Sequence, residues 1–576
     1  MKLNKQFKLA AAVAAGLALV GCGSDDDSGL AKAFDCTPDT TQGSRTICVG
    51  SAADLSDSSI KDGLLNAVAT IETGDTIVLP QGRYNIDAEI NFNGLQTASA
   101  TQVGTVTGVT FKGAGIDKTI FDFTEGSADG FFIENTEDLI MEDFGVYEAA
   151  NNAIKIVDTD GIILRRMATV WETDYQETNG AYGLYPVETD NVLIEDCYVK
   201  GSADAGVYVG QSENVIVRGC TAEKNVAGIE IENTINADVY NNTAIGNTGG
   251  LLVFNLPISN NTRYTKNVRI FDNTVISNNA PNFAASGSNP AGVHIVPPGT
   301  GIILLAAQDV EVFNNTITDN ETMGIAMTSF LLTDDDIATY ADADRYQSIL
   351  VSGWNPLMKS VYIHDNTITQ STYKPQPGKL EPMYELIIGY ASLTQAPIPD
   401  IFYDGVGELL ANAGELTDFQ GLDAFEGSNG AAGTFNPDDF GMYVYQNNND
   451  SGDNKSDAIC VSDNNGATVG SISKNGYDLL VTGALHNAAP TAETGANLLA
   501  ATLEAFEVDE SNNPTTYKTH LFADDPDTYA CAGTHAVIPM QAPTSASKAV
   551  VTFDDSTSFS CGVDDSSTAP DACTEI

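Results

Sequence analysis

The sequence predicts an all-β fold built as a parallel solenoid. Three observations predict it: a short internal repeat, two period-2 strands in each copy, and charge and asparagine columns that recur from copy to copy. The repeat is legible in DLIMEDFGV from Asp138, GIILRRMAT from Gly161, NVLIEDCYV from Asn191, NVIVRGCTA from Asn214 and NADVYNNTA from Asn236. It continues in NVRIFDNTV from Asn267, DVEVFNNTI from Asp309 and SVYIHDNTI from Ser360, with AICVSDNNG from Ala458 as a last copy. Copies begin 22 or 23 residues apart where no loop intervenes. A unit this short cannot bury an apolar face alone, so units must stack, about 4.8 Å apart. Between the copies runs a second strand, as in AIKI at Ala153, GLYP at Gly183, GVYV at Gly206 and GIEI at Gly228. Both strands alternate apolar and polar residues and are bounded by Asn, Asp, Thr and Gly, a pattern no helix would show.

Taken in chain order, residues 1–21 read as an export signal, with Lys2, Lys5 and Lys8 before an apolar run too short to span a bilayer permanently. LVGC resembles a bacterial lipobox, which would make Cys22 the lipidated first residue of the mature protein, held at the outer membrane because Gly23 follows it. Residues 22–52 are then an acidic tether beginning GSDDDSG. The solenoid is expected over 53–470, opened by an amphipathic helix from Ala53 that covers the first coil and so hides its strand edge. A long insertion at about 372–440 interrupts it, and 471–576 reads as a disulfide-closed, partly loose extension.

Stacking makes columns readable. The fifth position of the repeat gives Glu142, Arg165, Glu195 and Arg218, an alternating charge ladder, and the seventh gives Asn242, Asn273, Asn315, Asn366 and Asn464. Cys197 and Cys220 are neighbours in the seventh column and are expected as a buried thiol stack, because in-register parallel side chains rarely reach disulfide geometry. The other cysteines of an exported chain suggest disulfides: Cys36 with Cys48, Cys460 with Cys531 and Cys561 with Cys573.

The chain carries 26 basic and 78 acidic residues, a formal net charge of -52, which argues against nucleic acid as a partner. It equally repels polyanionic glycans, unless calcium bridges the two. No P-loop, dinucleotide fingerprint or zinc-ligand spacing is present, and no cofactor is evident beyond that calcium.

The strings GDTIVLPQGRY, NGAYGLYPVETDNVLIEDC, AGVYVGQS, NVAGIEIENT, NTGGLLVFNLP and VPPGTGI resemble exported bacterial parallel β-helix repeat proteins from roughly Ala53 to Val537. This resemblance implies a right-handed β-helix of three strands per coil and a second exported protein as partner. A more distant resemblance is to mannuronan C-5-epimerases, whose catalytic coil carries Tyr-Gly-x-Asp-Pro-His. Here the frame reads Tyr182, Gly183, Leu184, Tyr185, Pro186, Val187, so tyrosine and valine stand at the aspartate and histidine positions.

The candidate residues follow from the columns. Outward positions of the second strand bring Lys155, Tyr185, Tyr208 and Glu230 into line, with Asp204 just before, a surface on which rings stack on sugars and carboxylates take hydroxyls. Catalysis there would use Tyr185, Tyr208, Asp204, Glu230, Lys155 and Arg166. The tyrosines would act as bases if Arg165, Arg166, Lys200 and Lys224 lowered their pKa, and Asp204 with Glu230 would act as a hydrolytic carboxylate pair. Trp171, Tyr175 and Tyr182 would wall the groove, and Glu172, Asp174 and Glu177 of the same insertion would hold calcium if they converged. The alternative is a scaffold that uses this face only to bind a glycan or an exported protein.

Overall fold

A computed structural model describes residues 30–95, 105–258, 263–285 and 292–330, shorter pieces between 333 and 404, and isolated strands from Tyr443 to Glu575. The coil of Tyr182 shows how the repeat folds. Strand Tyr182–Val187 lies in a first wall, Glu188 turns the chain with φ 55°, Asp190–Glu195 lies in a second wall, Asp196 turns it with φ 54°, and Tyr198–Lys200 lies in a third. The second corner recurs at Asp143, Arg166, Gly219, Asn241, Asp272, Asn314 and Asp365, all at positive φ. Asn, Asp and Gly adopt that left-handed conformation at least cost, which accounts for the Asn-Asn and Asp-Asn pairs in the repeat.

Each strand pairs in parallel and in register with its equivalent one coil away. In the first wall Leu184, Val207, Ile229, Leu251, Ile302 and Ile325 form one column, buried in the interior. Each such side chain stabilises the stack by roughly 1.5–3 kcal/mol. The second wall carries the last repeat copy too, since Ile459–Val461 pairs with Lys359–His364. Helix Asp57–Thr70, capped by Ser56, closes the first coil with Ile60, Leu64 and Ala67 against the core. The coils beneath are filled by Tyr84, Phe111, Phe121, Phe131 and Phe144.

Buried amides run up the interior. Asn242, Asn273, Asn315 and Asn366 each pass a side-chain bond to the next at 2.9–3.1 Å. A second ladder, Asn225, Asn247, Asn278 and Asn320, does the same where the chain leaves the third wall. The charge column pairs Arg165 with Glu142 at 2.9 Å and Arg218 with Glu195 at 2.6 Å.

Three expectations are corrected and a fourth gains detail. The tether assigned to 22–52 already contributes a second-wall strand, Thr46–Cys48, because Cys36 joined to Cys48 draws this segment onto the stack. Cys197 and Cys220 are a disulfide and not a thiol stack; their Cα atoms are 4.4 Å apart, inside the range a disulfide spans. Within the insertion read at about 372–440, Ile401–Tyr403 is a first-wall strand pairing with residues 325–327. Beyond the coils, six strands between Tyr477 and Glu575 form a mainly antiparallel sheet within the extension expected to be disulfide-closed and partly loose. Antiparallel hairpins need no 22-residue period, so the repeat gave no sign of them. Cys22, Asn464 and Cys531, residues 376–399 and 405–440 of that insertion, and the side chains of Cys460, Cys561 and Cys573 lie outside the described residues. Among the described residues no helix is long and apolar enough to cross a membrane.

Candidate active site

Register fixes the outer face of the first wall. One outward column reads Asn91, Phe132, Lys155, Tyr185, Tyr208, Glu230, Leu252, Ile303, Ala326 and Phe402. A second, two residues on, contains Val187, Gly210, Glu232 and Phe254. This face is not bare. A second apolar cluster covers its C-terminal half, with Phe283, Val293, Ile295, Phe330 and Trp354 packed over Leu252, Ile303 and Phe402.

At the margin of that cover three tyrosines meet. The rings of Tyr182 and Tyr185 are 4.3 Å apart, and each lies within 5.0 Å of the ring of Tyr208. Gly210 allows this, since a Cβ there would overlap the Tyr208 ring. Around them stand Asp204, Glu230 and Glu232. Tyr182 donates a hydrogen bond to Asp204. Tyr208 donates to Glu232, which also accepts from Gln211 Nε2 at 3.0 Å. Glu230 is 2% exposed, and its Oε2 has no hydrogen-bond partner.

Such burial disfavours charge. Burial, opposed by the Tyr182 bond and reinforced by the charge of Glu232, pushes Asp204 up to about 8. Burial also raises Glu232, to about 7, against the bonds from Tyr208 and Gln211. Glu230 goes well above the usual carboxylate range through burial, then through the charges of Asp204 and Glu232. The three therefore titrate as one site holding protons at neutral pH. Burial raises all three tyrosines as well, and the carboxylates add to it.

The tyrosine-base expectation is thereby overturned, because the cations meant to lower those pKa values are engaged elsewhere. Arg166 lies at the corner between second and third walls and pairs with Asp143 at 2.7 Å; it is not part of this site. Arg165 pairs with Glu142, and Lys200 and Lys224 both pair with Asp174, at 3.0 and 2.8 Å. Trp171 is also displaced from the expected groove: it is 2% exposed, belongs to the interior core and donates Nε1 to Ala149 O at 2.8 Å. An indole is too large and apolar to stay out when a coil interior is open to it. Tyr175 does form a wall, edge-on to Phe283 at 5.8 Å. Lys155 sits 5.5 Å from the ring centres of both Phe132 and Tyr185.

The carboxylates of the 170–180 insertion do not converge, since Glu172 pairs with Arg83 at 2.9 Å and Asp174 with the two lysines. No group of three or more metal-binding side chains is arranged to hold an ion among the described residues. Glu232 and Gln211 were not among the candidates. The period-2 rule could have found Glu232, since Glu230 and Glu232 share a face; Gln211 sits in a turn and shows itself only through its contact.

Residues 129–329 match the family model described as right handed beta helix region. No curated protein sequence matches. Among solved structures the chain is similar to the A-module of a mannuronan C-5 epimerase from Azotobacter vinelandii, at 17% identity and a TM-score of 0.35 over 55% of this chain and 85% of that one. It is also similar to an alginate lyase from Paenibacillus sp. str. FPU-7, at 12% identity and a TM-score of 0.34 over 57% and 99%. A polygalacturonase from Erwinia carotovora ssp. carotovora gives 12% and 0.35 over 60% and 98%. With the parallel register of the three walls, the family match gives the conclusion that this chain folds as a right-handed parallel β-helix.

Proposed function

We propose that this protein hydrolyses a neutral polysaccharide at the Asp204, Glu230 and Glu232 cluster while a lipid on Cys22 anchors it to the outer membrane. The observation that carries the reading is Glu230, a buried carboxyl with an unpartnered oxygen beside two other carboxyls. Glycosidic bonds break when one carboxyl donates a proton to the leaving oxygen and a second, ionised, activates water or attacks the sugar. Glu232 is held by two donors and so loses its proton first; Glu230 has no such support and keeps it. This assigns Glu230 as acid and Glu232 as base, with Asp204 at the mouth as hydroxyl acceptor and Tyr185 as a sugar platform. A lyase or epimerase reaction is disfavoured, because it needs a cation or neutralising donor at a uronate carboxylate, and three carboxyls would face it instead.

The test is turnover of neutral and acidic polysaccharides by the protein, with and without calcium, beside Glu230→Gln and Glu232→Gln. Loss of turnover by at least a hundredfold in both variants supports the assignment. Binding without turnover in the wild type would leave the face as a recognition surface and the protein as a scaffold for a second exported protein.

A further inference from the structure

Exposure changes along the outward column. Asn91 is exposed, Phe132, Lys155 and Tyr185 are half-buried, and Tyr208 and Glu230 are 5% and 2% exposed. Beyond Glu230, Leu252, Ile303, Ala326 and Phe402 are all at most 3% exposed beneath the covering cluster. The second column closes in the same direction, with Glu232 at 8% and Phe254 and Leu305 at 1%. The carboxyl cluster is therefore the floor of a dead end. Three strand spacings separate exposed Asn91 from half-buried Tyr185, an open track of about 14 Å that ends where the cover begins at Tyr208. On the other side no room is left for even one more sugar, because Phe283, Val293 and Trp354 occupy it.

We infer that the site takes only the end of a glycan chain, which lies along the first wall over Tyr185, Lys155 and Phe132, and so releases units stepwise from one terminus. This rests on the proposed hydrolysis, and it adds which part of the substrate is recognised. A chain threaded through its middle would have to displace a packed apolar cluster of aromatic and branched residues, whose burial is worth several kcal/mol. A terminal unit meets that cover only at its inner end, above Tyr208 and Glu230. Phe132 and Tyr185 offer ring faces on which successive sugars stack, and Lys155 donates hydrogen bonds between them.

The experiment uses the full-length protein in detergent and linear neutral hexasaccharides of glucan and mannan type. Each is prepared in three forms: free, blocked at the reducing end with an aminobenzamide label, and blocked at the other end with a benzylidene group. Binding is measured by calorimetry on wild type and Glu230→Gln, and products are resolved over time. The inference expects a single small product to accumulate first, and a block at one end, and only that end, to weaken binding by about a hundredfold or more. Internal products from the earliest times, or equal binding of both blocked forms, would overturn it while leaving hydrolysis at the cluster standing. Absence of both binding and turnover across the panel would instead remove the hydrolytic reading, and this inference with it.

Discussion

Replacing Glu232 with glutamine tests the central physical claim, that a carboxylate is held in a site that resists its charge. The side chain keeps its shape and still accepts from Tyr208 and Gln211, so packing is preserved. In the wild type the carboxyl stands at about 7 against an ordinary value of 4.5. That difference of about 2.5, at 1.36 kcal/mol for each pH unit, amounts to about 3 kcal/mol. The sign follows from proton linkage. Between the two values the folded protein holds a proton that the unfolded chain has released, so this group's stability is complete below pH 4.5 and is lost as pH rises through 7. The glutamine variant carries no such loss. It should match the wild type within a few tenths of a kcal/mol at pH 4 and exceed it by up to ~3 kcal/mol at pH 9. Urea denaturation at pH 4, 6.5 and 9, followed by circular dichroism and by tyrosine fluorescence, measures this difference. A variant that gains equally at pH 4 and pH 9, or loses at both, would show that Glu232 is not ionising in a desolvated pocket, and the acid and base assignment would fall with it.

Tyr208→Phe removes a donor that favours ionised Glu232, so the lower limb of the pH profile of kcat/KM should move to higher pH, as a titration of hydrolysis would show. Arg166→Ala should leave turnover where it is, because Arg166 pairs with Asp143 at a distant corner, and its cost in stability should stay under about 1 kcal/mol by thermal denaturation. Asn273→Ala should destabilise the stack by roughly 3 kcal/mol or more, since it strands the Asn242 backbone and side-chain donors, at 3.0 and 3.1 Å, inside the core. Asn214→Gly, in the ladder that Asn236 joins at 3.1 Å, should cost less than about 1 kcal/mol by the same measurement, because glycine keeps the left-handed φ of 59° without strain and the ladder lies at the surface.

The solenoid was legible because its physics is local and repeated. A 22-residue unit with two alternating strands has few other ways to bury its apolar residues, and the corner asparagines bond to their own copies in the next coil and to backbone carbonyls of the coil before. Columns such as Lys155, Tyr185, Tyr208 and Glu230 come from register alone, so the sequence determined which residues share a face. It did not determine what covers that face. The loops carrying Phe283, Val293 and Trp354 have no period, and their packing turned an open groove into a site with one closed end. That enclosure, absent from any local pattern, raised the tyrosines and carboxyls together, and it set Glu232 beside the Asp204 and Glu230 pair that the sequence had already offered. Arg166 and Trp171 were misplaced for the same reason. Which way a corner residue points depends on its φ and on the space beside it: the left-handed φ of Arg166 sent it outward to Asp143, and an interior gap drew in Trp171. Desolvation and corner geometry depend on residues far apart in the chain, so only the tertiary structure decided them.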